Sequence, residues 1–207
     1  MRSWRRRVPE IALALGLLVA AAGLAHWLVG GPELPRTGTV PAAHAGPDPA
    51  PERATPLPAS PDEAPRGVHL PTLGVNAPVD PVLPGRDGGL GVPGPPGVVG
   101  WWSAGAAPGA RRGTVVLAGH VDTQRGGRGA FFRVGDLQPG DPVTVTTARS
   151  TVRYRIAAVR GYPKASLPPD VFDRTGRPRL VLITCGGPFD EGTKEYADNV
   201  VAYAVPA

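Results

Sequence analysis

Four consecutive aliphatic residues, Leu180, Val181, Leu182 and Ile183, run into Thr184, then into Cys185, the only cysteine of the chain, and then into the pair Gly186 and Gly187. An unbroken apolar run of this length reads as a buried strand, and the two glycines end it by freeing the backbone for a turn or a close approach. Cys185 therefore stands where a rigid strand stops. A second stretch has the same grammar: Thr114-Val115-Val116-Leu117-Ala118 leads through Gly119 to His120, Val121 and Asp122. A thiol and an imidazole delivered by two such strands are the minimum kit for a thiolate nucleophile. A lone cysteine excludes an intramolecular disulfide and leaves no basis for a cysteine-rich metal site, so neither a metal nor a cofactor is expected.

The rest of the 207 residues divides into three parts. Arg2, Arg5, Arg6 and Arg7 precede residues 11–29, which are apolar except for His26. At a rise of about 1.5 Å per residue such a run covers the roughly 30 Å hydrocarbon core of a bilayer, and the arginines in front keep the N-terminus cytoplasmic. The competing reading is a cleaved signal peptide ending near Ala20-Ala21-Ala22, but its apolar region would be shorter. Residues 31–66 are proline, alanine and glycine with scattered charge, a composition too poor in apolar surface to offset ordering entropy. They are expected to form a disordered, extended stalk. The sequence thus predicts an anchor over residues 1–30, a linker over 31–66 and a folded domain over 67–207 on the outer side of the cell membrane.

The net charge of +5 shrinks on division: residues 67–207 hold 15 Lys/Arg against 11 Asp/Glu, a surplus of 4. That field is too weak for a dedicated nucleic-acid binder. Arg125-Gly126-Gly127-Arg128-Gly129 is a single RGG-like copy and reads as a surface loop. Within the domain, Val68-His69-Leu70 and Ala77-Pro78-Val79 look like two short strands around a tight connection, with His69 structural. Val98-Val99-Gly100-Trp101-Trp102 reads as a short helical turn anchored by two core tryptophans, and Phe131 and Phe132 as core residues on another. Val143 to Thr147 and Val152 to Ile156 alternate with period two and read as a hairpin. A short helix or loop over residues 167–172 precedes the cysteine strand, and residues 199–205 close the chain as a last strand. Short strands, frequent turns and no long amphipathic helix predict an all-β, closed or nearly closed barrel.

The segments Leu73-Gly74-Val75-Asn76-Ala77-Pro78-Val79, Gly100-Trp101-Trp102, Val116-Leu117-Ala118-Gly119-His120-Val121-Asp122, residues 131–141, and Leu182-Ile183-Thr184-Cys185-Gly186-Gly187-Pro188-Phe189-Asp190 with Tyr196, Asp198, Asn199 and Val200 occur in a fixed order. Together they resemble the sortases, most closely the group called class F, over about residues 68–207. The resemblance implies an eight-stranded β-barrel with short helices and a membrane-anchored, monomeric cysteine transpeptidase. Its partners would be secreted proteins with a C-terminal LPxTG-like sorting signal, cut between Thr and Gly, and an amine of a cell-wall precursor, or water, as acceptor. On this resemblance Cys185 is the nucleophile and His120 the general acid. Thr184 falls at the threonine of the family's TxTC pattern and would help hold substrate, and the amide of Gly186 would contribute an oxyanion donor.

One departure stands out. The family's arginine on the strand after the cysteine has Ala197 in its place, within Tyr196-Ala197-Asp198-Asn199. Lys194 is the cation nearest in sequence, and the sequence assigns the role to no residue. A membrane-tethered peptide-binding module with impaired catalysis is the alternative function.

Overall fold

The computed structural model describes residues 34–43, 60–83 and 90–207. The anchor expected within residues 1–30 and residues 44–59 of the stalk lie outside the described residues. Among the described residues no helix is long and apolar enough to cross a membrane.

The strands in chain order are β1 (Arg36–Gly38), β2 (Pro65–Leu70), β3 (Val75–Val82), β4 (Val99–Trp102), β5 (Thr114–Ala118), β6 (Asp122–Thr123), β7 (Gly127–Arg128), β8 (Pro142–Thr147), β9 (Thr151–Pro163), β10 (Arg179–Asp190) and β11 (Glu195–Pro206). Eight of them form a sheet in the order β9-β11-β10-β5-β4-β3-β2-β8, and β8 pairs back onto β9 to close a barrel. Neighbours are antiparallel except β3 with β4 and β5 with β10. The expected all-β barrel is present, with only short 3-10 helices among the described residues.

Alternation along the strands builds two apolar clusters. Val68, Val79, Trp101, Leu117, Val145, Ile156, Leu182 and Ala202, drawn one from each barrel strand, face the interior. Val116, Ala158, Val181, Ile183, Val201 and Tyr203 face outward into a second cluster with Val171, Leu167, Phe172 and Val40. Strands β10 and β11 are therefore buried on both faces, which is why residues 180–183 show no alternation of apolar and polar.

Several expectations hold in detail. Val145 pairs with Val152 in the β8–β9 hairpin, and Leu70 pairs with Val75 across the 3-10 turn Pro71–Leu73. Three do not. Residues 31–66 are not wholly a disordered linker: Arg36–Gly38 pairs with β9 from Arg160 to Ala158, and β2 begins at Pro65. The strand edge beyond the β8 pairing would otherwise be bare, and β1 covers it.

Val99–Trp102 is a strand, not a helical turn. A Cβ on Gly100 would lie 2.9 Å from Pro93 Cδ and 3.1 Å from both Val82 methyls, so glycine lets β4 seat closely against its neighbours. Trp101 then points inward, its Nε1–H donating to the Ala106 carbonyl at 3.2 Å, while Trp102 points outward, edge-on to Phe172 at 5.2 Å. Phe132 is not core: its ring is 36% exposed and lies under the Arg128 guanidinium at 4.5 Å. Phe131 is fully buried, as expected.

Among the described residues, Arg179 is a charged side chain sealed beside the outer cluster, 2% exposed. Its guanidinium donates to Thr114 Oγ1 at 3.0 Å, to the Pro41 carbonyl at 3.2 Å and to both the carbonyl and the carboxylate of Asp170. It thereby joins β5, β10, the strap of residues 34–43 and the 3-10 helix Pro169–Phe172. Replacing it with alanine would leave these acceptors unpaired, so Arg179→Ala should lose about 3 kcal/mol of stability in urea unfolding of the full-length chain. A loss under about 1 kcal/mol would contradict this account.

Candidate active site

The register of β10 decides where the thiol and the imidazole stand. Strand β10 runs parallel to β5, with Ile183 level with Ala118. The ladder continues one residue past β5, because the Gly119 N–H donates to the Ile183 carbonyl at 3.0 Å. Two residues beyond that pair are Cys185 and His120. Side chains two apart on a strand share a face, so Cys185, still within β10, follows Ile183 onto the outer face of the barrel, while His120 stands on the turn two residues past the end of β5. On its other side Cys185 is paired with Asn199 of β11, and Asn199 with Tyr162 of β9. One row across three neighbouring strands therefore carries Cys185, Asn199 and Tyr162, with His120 on the turn after β5.

Backbone contacts hold His120 on this turn. A Cβ on Gly119 would press on the Phe131 ring at 2.8 Å, so glycine is what lets the core phenylalanine pack under the turn. The Phe131 N–H donates to the His120 carbonyl at 3.1 Å, and the Gly129 N–H to the Val121 carbonyl at 2.8 Å. The small β6–β7 hairpin, Asp122–Thr123 with Gly127–Arg128, completes the turn. The ring itself is half-buried, and Nε2–H donates to the Pro93 carbonyl at 2.8 Å. A carbonyl only accepts, so this bond keeps a proton on Nε2 and leaves Nδ1 as the nitrogen that can take up or release one.

Cys185 is half-buried. Burial pushes its thiol above the ordinary value; the Lys164 ammonium pulls it down, and the carboxylates of Glu195 and Asp122 push it further up. Asp122 is held by the Tyr196 hydroxyl, which donates to its Oδ2 at 2.7 Å. The same bond, with lesser help from burial, raises the Tyr196 phenol to about 12. Lys164 Nζ and Glu195 Oε2 form an ion pair at 3.1 Å.

The other residues singled out in the sequence fall less uniformly. Thr184 is 5% exposed, and alternation puts its side chain on the inner face, opposite Cys185; its Oγ1 is buried with no hydrogen-bond partner among the described residues. Its side chain is thus turned away from the face that carries Cys185. Gly186 pairs with Asp198, and a Cβ there would meet Val200 Cγ2 at 2.7 Å. Gly187 takes φ 74 within an irregularity of the ladder between Gly186 and Phe189, and a side chain on it would collide with the Asp198 carboxylate. Lys194 stays at the β10–β11 turn, where its ammonium pairs with Glu191 at 2.6 Å.

Pro93, Lys164 and Glu195 were not singled out by sequence. Nothing in Tyr162-Pro163-Lys164 signals a site, because its relation to Cys185 exists only through the β9–β11–β10 register. Asp122 and Tyr196 lay within recognisable segments, but their hydrogen bond spans strands far apart in the chain. Beside the His120 turn a shallow open cleft is lined by Gly94, Pro96, Thr123, Gln124, Arg125 and Gly126.

Comparison with known proteins gives a consistent picture. The Sortase domain profile matches residues 68–207. Among solved structures, Sortase A from Corynebacterium diphtheriae is similar with a TM-score of 0.52 at 17% identity, over 68% of this chain and 59% of that one. Its lid mutant gives a TM-score of 0.55 at 17% identity, over 74% of each chain. The pilus-related Sortase C of Group B Streptococcus gives 0.53 at 13% identity, over 72% of this chain and 70% of that one. The chain thus spans about three-fifths of the first of these relatives. No curated protein sequence matches it.

A thiol raised by burial is mostly protonated at neutral pH, and its reactive thiolate grows with pH. Alkylation of Cys185 by iodoacetamide, followed by intact mass, should therefore still be accelerating at pH 9 in the absence of substrate. A rate already level between pH 7 and 8 would overturn the burial argument.

Proposed function

The chain belongs to the sortase family, and from that premise we propose that it is a cysteine transpeptidase that cuts LPxTG-like sorting signals and passes the acyl group to a cell-wall amine or to water. Family members are cysteine transpeptidases, and this chain has one cysteine with which to act. The observation that supports the reading is the β5–β10 register, in which Ile183 stands level with Ala118, two residues before Cys185 and His120 respectively.

The chemistry balances with these two side chains. The Cys185 thiolate attacks the carbonyl carbon of the signal's threonine, forming a C–S bond and an oxyanion. The oxyanion collapses as the C–N bond to glycine breaks, and His120 in its imidazolium form gives a proton to the departing amine. The resulting thioester is attacked by the acceptor amine, which loses a proton to His120 as the thiolate leaves. The Gly186 amide is the proposed donor to the oxyanion, and the inward side chain of Thr184 is given no direct part in substrate binding. The membrane location rests on residues 1–30: Arg2, Arg5, Arg6 and Arg7 with the apolar run behind them are proposed to leave the domain outside, near secreted substrates and wall precursors.

Ala197 favours a second reading, a peptide-binding module with impaired catalysis, since a methyl group cannot stabilise an oxyanion. Incubation of the full-length chain in detergent with an LPxTG peptide and glycine or diaminopimelate amines separates the two by mass spectrometry. The transpeptidase reading expects an acyl adduct on Cys185, an amide product, no product from Cys185→Ala, and a loss of about 100-fold or more for His120→Ala. Peptide binding with neither adduct nor cleavage would establish the module instead.

A further inference from the structure

Ionising Cys185 is opposed by burial and by two carboxylates, Glu195 and Asp122. A nucleophile so placed needs a positive charge to accompany it. The other cations in the region are held elsewhere. Arg128 lies over Phe132, and Arg160 donates to the Thr37 and Gly38 carbonyls of β1. Lys194 pairs with Glu191 at the turn, and Arg125 lines the cleft beyond the β6–β7 hairpin. Asp198 faces inward beside Gly187.

Lys164 is placed differently. In the β9–β11 ladder Asn199 pairs with Tyr162 and Asp198 with Pro163, where β9 ends. The next residue, Lys164, opens the 3-10 helix Lys164–Ser166 beside the end of β11, and its ammonium reaches Glu195 on that strand. Ala197, between Glu195 and Asn199 on the same face of β11, offers only a methyl, which leaves that face open to a flexible four-carbon stem. The ammonium is anchored on that face by Glu195 at 3.1 Å and keeps a side-chain exposure of 37%, enough to move.

We propose that Lys164 is the cation that partners the Cys185 thiolate, with Glu195 holding it on the face of β11 that Ala197 leaves open. The assignment rests on the proposed sortase chemistry only in taking the thiolate as the working nucleophile. Of the charges acting on Cys185, that of Lys164 is the largest and the only one that favours ionisation. Lys164 acts through Cys185 and is a positioning residue; nothing requires it to touch the peptide.

The test is the pH profile of Cys185 alkylation by iodoacetamide, which needs no substrate, read beside the profile of kcat/KM with an LPxTG peptide. Full-length wild type, Lys164→Ala, Lys164→Arg and Glu195→Gln are compared. Lys164→Ala should move the alkylation profile to higher pH and slow labelling severalfold near pH 7.5, Lys164→Arg should restore it, and Glu195→Gln should move it to lower pH. A purely structural lysine would lower the thermal midpoint without producing shifts of opposite sign in the two partners. Superimposable profiles for wild type and Lys164→Ala overturn the assignment, whether or not peptide is cleaved. Shifted profiles in a chain that leaves every peptide intact support Lys164 as the thiolate's partner and overturn the transpeptidase reading alone.

Discussion

The site depends on one parallel pairing. Cys185 and His120 are far apart in the chain, and each taken singly fits a buried or surface residue of no consequence. Their backbones come to neighbouring strand ends because β10 lies beside β5 with Ile183 level with Ala118. Parallel neighbours cannot be joined by a tight turn, so the chain between them makes the β6–β7 hairpin and strands β8 and β9 before returning. Closure of the barrel through β9 and β11 is what brings β10 back in register. A slip of one residue would turn Cys185 inward and Thr184 outward. The apolar residues on both faces of β10 resist that slip, because Leu180 and Leu182 belong to the interior while Val181 and Ile183 belong to the outer cluster.

The same placement sets burial against reactivity. The thiol sits at the end of a two-sided strand, where apolar neighbours fix its position and also disfavour its charge. Beside it the Tyr196 to Asp122 hydrogen bond, 2.7 Å long, ties β11 to the segment after β5 across the end of β10. That bond steadies both flanks of Cys185 and keeps a carboxylate near it. Position has been gained with groups that oppose ionisation, and so the identity of the nearby cation matters more than it would in an open site.

The sequence was most legible where structure is local. Alternation in residues 143–147 and 152–156 marked a hairpin, and the apolar run before Cys185 marked a buried strand, because each signal arises within a few residues. Trp101 and Trp102 misled: side by side they suggest a turn, yet one fills the barrel and the other packs edge-on to Phe172, as neighbours on a strand must. Phe132 misled for a similar reason, since a ring beside a buried Phe131 can be covered by Arg128 instead of by the core. At the site, the thiol and imidazole were visible as residue types at strand ends. Lys164 was not, because its relevance comes from a third strand's register, and the pattern that picked out Thr184 says nothing of the inner face to which its position on β10 turns it.

The N-terminal strap shows why composition alone can mislead. Residues 34–43 have no core of their own, and judged alone they could not offset the entropy of ordering. The apolar surface they cover belongs to the barrel instead. Val40 packs on the outer cluster, and Ala43 is buried. The approach is close: a Cβ on Gly161 would stand 2.7 Å from Leu34 and 2.9 Å from Pro35, and the Gly161 N–H donates to the Pro35 carbonyl at 2.9 Å. Gly38, at φ 70, lies where any side chain would strike the Ala157 carbonyl. The contact therefore requires glycine on both sides, Gly161 beneath Leu34 and Pro35 and Gly38 against the Ala157 carbonyl. The composition that suggests an unstructured spacer is also the composition of a thin cover over a strand that is apolar on both faces. Telling the two apart requires knowing what lies beneath, which the strap's own sequence does not contain.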